Sequence, residues 1–474
     1  MTTTSQTLGT SALPLLAARG IQVPTYARQG LVPGVVHLGL GAFHRAHQAL
    51  VFDHLLTQGD ARWGVLGVSM RNPEVADTLA AQQGLYAVQV ASHAGIYWQV
   101  SGAVLQTAVA TREREKVLAA IAAPSTRWIT LTVTEKGYGP ELAQLLVDGL
   151  ARRHGNGLPG VTVASCDNLS NNGRQLQALC VADAETRSAS LAAWLKTACA
   201  FPNSMVDRIV PAATPERRAA AQEVLGVADA AALGTEAFWE WVLEDQLADP
   251  ADAAVLRSAG VNVVRDVRPF EEAKLRMLNG SHTAIACMGA VARLGTVAGT
   301  VGQAAVRALV HGHMTHEVMP HVQRADGEAY RDALLARFVN PELKHSVHQI
   351  ASDNSKKIPM RWPPTLLAQQ QAGRASPRLA FAAAAWMRYC RGVDEQGEAY
   401  TLNDPIGDTL QALARQHGGN PAATVQALGT LPAIWGDELV RNGPWLEEVT
   451  GHLTSIERLG MLKATEALVA KLSA

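Results

Sequence analysis

Cysteine is scarce in this chain, its charges cancel, and no long hydrophobic run occurs. Only five cysteines are found in 474 residues, and Cys166, Cys180, Cys199, Cys287 and Cys390 never form a C-x-x-C pair. An odd, scattered set excludes a disulfide framework and a cysteine-built zinc site, and reads as reduced thiols of a cytoplasmic protein. The 41 basic side chains balance 42 acidic ones. With no Lys/Arg block among aromatics, nucleic acid and anionic membrane are excluded as partners. The longest apolar stretches, such as Ala380–Met387, are far shorter than the roughly 20 residues of a membrane span. The N-terminal stretch Met1–Thr10 is polar and lacks the basic-then-apolar succession of a secretory signal.

What is present is an ordinary globular composition on a chain too long for one core, so two or three domains are expected. Residues 1–33 read as a lead-in punctuated by Pro14, Pro24 and Pro33. A β-type run from Val35 ends in glycines at 39 and 41, then a helical stretch covers Arg45–Leu56 and a strand Trp63–Ser69. This is a βαβ unit. Further strands are expected at Leu85–Val90, Tyr97–Val100, Trp128–Val133 and Val161–Ser165, with helical patterns such as Glu113–Ala122 and Glu141–Arg152 between them. The alternation predicts an α/β fold with a doubly wound parallel sheet over residues 34–268. Beyond it, Lys274–Leu294, Thr300–His311, Ala329–Phe338, Leu379–Tyr389 and Thr409–Gln416 carry helical periodicity. Residues 269–474 are therefore expected to be a mostly α-helical domain.

Five strings carry candidate chemistry. In Gly39-Leu40-Gly41-Ala42-Phe43-His44 two glycines sit between strand and helix, where backbone N–H groups can approach a pyrophosphate. His44 stands where the usual third glycine would be, and a tight turn alone would also explain the pair. The tip of the second strand offers no acid for a ribose 2′-hydroxyl, whereas Arg71 could accept a 2′-phosphate; these residues leave the choice between NAD and NADP open. Thr134-Glu135-Lys136-Gly137-Tyr138 and Ser165-Cys166-Asp167-Asn168 each follow a predicted strand. In open α/β sheets ligands collect at that end, which makes Glu135 and Lys136 candidate cofactor contacts. Asp207-Arg208 lies inside an apolar string and by itself is as well read as a structural ion pair.

The fifth string is Lys274-Leu275-Arg276-Met277-Leu278-Asn279-Gly280-Ser281-His282. On an α-helix, Asn279 and His282 lie about 140° and 80° around from Lys274. Gly280 is expected to loosen the helix there. A partly desolvated lysine can act as acid/base for carbonyl–alcohol interconversion, an asparagine amide can donate to the reacting oxygen, and a histidine can orient it. A second histidine group (His311, His313, His316, Glu317, His321) includes an i, i+4 His-Glu pair. It lacks an H-E-x-x-H pattern, and no metal is expected.

These strings, GLGAFHRAH (39–47), LTVTEKGY (131–138), SCDN (165–168), FPNSMVDRIVPAATPE (201–216) and KLRMLNGSH (274–282), resemble those of the polyol-specific long-chain dehydrogenases, the mannitol dehydrogenase family. The resemblance runs from Val35 to about Asn442. With WMRYCRGVDEQG (386–397), it is most similar to the fructuronate reductase (D-mannonate oxidoreductase) branch. It implies a Rossmann-type N-terminal domain, a helical C-terminal domain, and a site drawn from both. Lys274 would be the general acid/base, Asn168 and Asn279 the oxyanion donors, and His282 a substrate contact. Asp207 would lie near the active centre, and Gly39, Gly41 and Phe43 against the cofactor. Residues 344–361 are similar to the family's HRTxQIAxDGSxKxPxR pattern, with Ser346 in place of arginine and Asn354 in place of glycine. There Lys357 and Arg361 are candidates for holding a substrate carboxylate.

The expected activity is NAD(P)-dependent interconversion of a keto sugar acid and its hydroxy form, D-fructuronate and D-mannonate first. A polyol 2-dehydrogenase acting on mannitol, arabinitol or sorbitol, and a tagaturonate reductase, are the enzymatic alternatives. A dinucleotide-binding regulator is the non-enzymatic one. The expected partner is a small-molecule substrate, and a monomer is compatible with the sequence.

Overall fold

The computed structural model describes residues 6–92, 95–343 and 345–473. The first five residues of the polar N-terminus and Lys344 lie outside them. The chain divides into two compact units, Met1–Val267 and Arg268–Ala474.

In chain order the strands of the first unit are β1 (Val35–Leu38), β2 (Val65–Ser69), β3 (Tyr86–Ser92), β4 (Gly95–Ser101), β5 (Val104–Val109), β6 (Trp128–Leu131), β7 (Thr162–Ser165), β8 (Ser204–Asp207), β9 (Leu233–Glu236), β10 (Glu240–Glu244) and β11 (Asn262–Val264). Five of them form one sheet in the order β5-β2-β1-β6-β7, every neighbouring pair parallel. β1, β2, β6 and β7 are buried along their whole length, as strands covered on both faces must be. The chain steps outward in opposite directions from β1, so the order reverses between β1 and β6. That switch point is where an open α/β sheet leaves a crevice beyond its strand ends.

Helices pack against this sheet. Pro140–Gly155 starts with proline at its first position and ends in Arg152, Arg153 and His154, matching the missing donor at one end and the macrodipole at the other. Its Leu142, Leu146 and Leu150 join the core with Val36, Ile129 and Val163.

The first unit departs from expectation in two ways. β3 and β4, expected as further strands alongside the parallel ones, pair antiparallel with each other and join β9 in a separate sheet. A parallel partner would need a crossover of a dozen residues or more, and the chain between them is far shorter. The predicted helix Arg45–Leu56 is two helices, Ala42–Ala46 and Gln48–Thr57, broken at His47 with φ −127° and ψ −93°. The lead-in is tied down: Leu8, Ala12 and Leu16 are buried with Leu85, Trp98 and Leu225.

Among the described residues of 268–473 no strand occurs. Gly280–Val291 and Pro377–Tyr389 are buried over nearly their whole length, as central helices of an all-α unit are. The predicted helix Thr300–His311 is split at Gln303. More consequentially, Lys274–Asn279 is not α-helix but a π-helical turn running into Gly280–Val291.

Candidate functional site

In the first unit most of the candidate residues follow the carboxyl ends of β1, β6 and β7. Gly39 follows β1 with φ +102°, and a side chain there would meet the Thr132 carbonyl oxygen at 2.2 Å. Both the backbone and the neighbouring strand therefore demand glycine. Gly41 is different. Its backbone is extended, and an added Cβ would meet only the Gly39 carbonyl at 3.7 Å. No neighbour among the described residues requires glycine at 41, so the space over it is open.

His37 holds this turn to the next strand end. Its ring bonds Thr130 Oγ1 at 2.8 Å, Thr132 Oγ1 at 2.9 Å and the Gly39 carbonyl at 3.1 Å. Burial pushes its pKa down to about 3, so it is a neutral hydrogen-bonding element. His44, in place of a third glycine, lies flat on His37 with ring centroids 3.3 Å apart. The side chain that a glycine would have avoided is accommodated by stacking. Phe43 is half-buried and stacks on His47 at 5.0 Å.

After β6 the chain makes a 3-10 turn over Glu135–Gly137, with Glu135 and Lys136 exposed. After β7 comes Asp167, 7% exposed, and then the exposed Asn168. Asp207 ends β8 and is buried. β8 is fastened to the β7 end because Asn172 exchanges hydrogen bonds with the Ser204 backbone, each 2.9 Å. Arg208 donates to the carbonyls of Ala46 and, at 2.8 Å, Glu236. Arg71 follows β2 and pairs with Glu141 at 2.8 Å, both side chains largely exposed.

In the second unit Lys274, Asn279 and His282 share one continuous helical rod and are each partly exposed, while Met277 and Leu278 face the core. The angular spacing expected for an α-helix is corrected here. A π turn bonds i to i+5 and so brings residues five apart, Lys274 and Asn279, nearer to one face. Gly280 does not loosen the helix: it has regular helical angles, φ −62° and ψ −47°. The irregularity is the π turn before it.

Helix Asn354–Arg361 packs beside this rod. Arg361 Nη1 donates to the Asn279 carbonyl at 3.1 Å and to Thr283 Oγ1 at 2.6 Å, and Trp362 Nε1 donates to the Gly280 carbonyl at 3.1 Å. No carboxylate pairs with Arg361 among the described residues, and burial lowers its pKa to about 10. Lys357, one turn earlier, donates to the Ile350 carbonyl at 3.3 Å. Burial and the neighbouring Arg361 lower its pKa, against Asp353 and Asp404. Asn354, where the family pattern has glycine, is buried and donates to Cys287 Sγ at 3.5 Å. His282 packs against Phe338 at 4.7 Å between ring centroids.

His313 and Glu317, the i, i+4 pair of the second histidine group, are engaged with each other and with a helix start. His313 Nδ1 meets Glu317 Oε2 at 3.0 Å, and the same carboxylate accepts from the backbone N–H of Arg378 at 2.9 Å and Leu379 at 3.0 Å. Glu317 thereby caps helix Pro377–Tyr389. Among the described residues no three His, Cys, Asp or Glu side chains converge as a metal cluster would.

Comparison with known proteins shows the family. The mannitol dehydrogenase Rossmann domain matches residues 33–253, and the mannitol dehydrogenase C-terminal domain matches residues 266–457. The chain belongs to the mannitol dehydrogenase family. It is an oxidoreductase of that family. It is 35% identical to a mannitol 2-dehydrogenase of Phaeosphaeria nodorum, over 96% of this chain and 84% of that one. It is also 35% identical to the D-mannonate oxidoreductase of Escherichia coli, over 94% of this chain and 97% of that one. Among solved structures it is similar to the Pseudomonas fluorescens mannitol 2-dehydrogenase ternary complex with NAD and D-mannitol, with TM-score 0.81, 29% identity, and coverage of 98% of this chain and 100% of that one. No helix among the described residues is long and apolar enough to cross a membrane.

Sequence reasoning passed over Thr134, Tyr138 and Asp167. Asp167 adjoins the candidate Asn168, but its carboxylate acts on backbone groups of a distant loop, which no spacing rule reveals.

Proposed function

We propose that this enzyme interconverts a keto sugar acid and its hydroxy acid with NAD, D-fructuronate and D-mannonate being the expected pair. The observation that carries the sugar-acid assignment is Arg361 with Lys357. A half-buried guanidinium without an acid partner, one helical turn from a lysine that it repels, is costly unless an anion joins it. A substrate carboxylate supplies that anion, and a neutral polyol does not. Identity to a mannitol 2-dehydrogenase equals that to a D-mannonate oxidoreductase, and Lys357 and Arg361 both fall on the pattern of the whole family, so the substrate comparison below decides between them.

The open space over Gly41, beside the turn at Gly39 and Phe43, fits the pyrophosphate of a dinucleotide. NAD is the cofactor proposed, in line with the NAD complex of the Pseudomonas fluorescens mannitol 2-dehydrogenase, and Glu135 and Lys136 border the same strand ends. NAD(H) supplies the hydride when bound. The protein's own groups handle the proton and the developing charge. Lys274 gives its proton to the carbonyl oxygen during reduction and recovers it in the reverse direction. The amides of Asn168 and Asn279 donate to that oxygen as it becomes alkoxide-like. His282 orients a substrate hydroxyl, and Asp207 accepts from another.

The test is NADH and NADPH oxidation with fructuronate, tagaturonate and fructose in parallel. Fastest turnover with fructuronate and NADH is expected. Preference for fructose would sink the sugar-acid assignment, and clear NADH binding without turnover of any of the three would point to a regulator.

A further inference from the structure

The loop after β6 contains a backbone conformation that its residue resists. Thr134 has φ +65° and ψ 165°, a region occupied almost only by glycine, and a β-branched residue there is a true outlier. Such strain persists only where surrounding structure over-determines it.

Asp167 supplies that determination. Its Oδ1 accepts from the Thr134 N–H at 2.7 Å and its Oδ2 from the Val133 N–H at 3.1 Å. Tyr138, at the far end of the same loop, donates to Oδ2 at 3.2 Å. Burial pushes the Asp167 carboxyl up, and the Thr134 and Val133 N–H groups pull it back. The backbone of Asp167 meanwhile builds the next turn. Its carbonyl accepts from the Leu169 N–H at 2.9 Å and from Asn172 Nδ2 at 3.0 Å, leaving the intervening Asn168 at an exposed apex.

We infer that Asp167 is a positioning residue that sets both loops of the first unit's site. Its side chain clamps Thr134 so that Glu135 and Lys136 are held at the crevice, and its main chain presents Asn168. The Asn168 half of this inference rests on the proposed function; the clamp does not.

The experiment compares Asp167→Asn, Thr134→Gly, the double variant and Asn168→Ala. Asp167→Asn turns one acceptor into a donor facing an N–H, so the strained loop is no longer held. NADH, titrated by fluorescence, should bind about tenfold more weakly to it, the scale of one strained residue released. Glycine adopts the Thr134 conformation without strain, so Thr134→Gly alone should bind NADH within about twofold of the parent. The double variant should recover to within about threefold of Thr134→Gly. Its melting temperature, read without ligand, should fall by less than the sum of the single changes. A double variant as impaired as Asp167→Asn, with additive melting losses, would overturn the clamp. If NADH binds to none of the proteins, the cofactor assignment fails and the melting coupling alone decides the clamp. Asn168→Ala should lower kcat and leave NADH affinity unchanged; unchanged kcat removes Asn168 from the chemistry and leaves the clamp standing.

Discussion

The two units offer their candidate residues from different materials. The first uses backbone: a glycine turn, a strained threonine and loop N–H groups at strand ends, held by buried side chains such as His37 and Asp167. The second uses side chains, with Lys274, Asn279 and His282 on one helical rod and Lys357 and Arg361 on a helix beside it. A dinucleotide common to many reactions is suited to backbone contacts, which any side-chain drift leaves intact. Substrate and proton chemistry need groups of particular charge and acidity, which only side chains provide. Substitutions in the two units should therefore leave different kinetic signatures.

The largest expected effect is in the second unit. Lys274→Ala should lower kcat by about 10²–10⁴-fold, the usual worth of a general acid/base, with NADH affinity unaffected. A stopped-flow hydride-transfer rate near the parent's would remove lysine from the mechanism. Next, Arg361→Gln should raise the KM for fructuronate about tenfold or more, the scale of a lost charge-assisted hydrogen bond. If the KM for fructose rises equally, Arg361 serves only to hold the π turn through the Asn279 carbonyl.

Two glycines test the first unit against itself. Gly39→Ala should lower the melting temperature by about 4 °C or more, because the new methyl meets a positive φ and a carbonyl oxygen together. Gly41→Ala should leave melting unchanged and weaken NADH instead. A reversed result would mean that the open space at Gly41 is not the cofactor's.

Lys357 gives a smaller, pH-dependent effect. Its lowered pKa means that its charge is lost at a lower pH than an ordinary lysine's, so the KM for fructuronate should rise as pH climbs through that range. Stability moves the other way. The unfolded chain binds this proton more tightly, so the lysine's contribution to stability improves as pH rises. Lys357→Met should flatten the KM profile, and an unchanged alkaline limb would assign it to another group. The smallest effect is Arg71→Ala. An exposed ion pair of this kind contributes little, so melting should hold within about 1 °C, and NADPH turnover should fall further than NADH turnover if Arg71 meets a 2′-phosphate.

Much of the fold was legible because buried parallel strands declare themselves. Val35–Leu38, Trp128–Leu131 and Thr162–Ser165 are short, β-branched and bounded by turns, and they occupy three adjacent places in one sheet. The short connection between β3 and β4 allows only antiparallel pairing, but that the pair leaves the main sheet to join β9 was not legible, since strand content does not reveal distant partners. The strings around the candidate site were visible as polar residues after predicted strands. Their mutual geometry was not, because Asp167 and Thr134 are 33 positions apart and meet only when β6 and β7 lie side by side.

By itself the sequence determined composition class, the alternation of strand and helix, the glycine turn and the chemical types available for reaction. These follow from local rules: periodicity, turn propensity and side-chain pKa range. Only the tertiary structure decided that Gly39 is demanded by Thr132 while Gly41 is not, and that Lys274 to Asn279 is a π turn. It also decided that Arg361 is half-buried with no acid paired to it among the described residues and that Asp167 holds a strained Thr134. Each depends on groups far apart in sequence whose distances are set by packing, and packing is a property of the whole unit rather than of any stretch of chain.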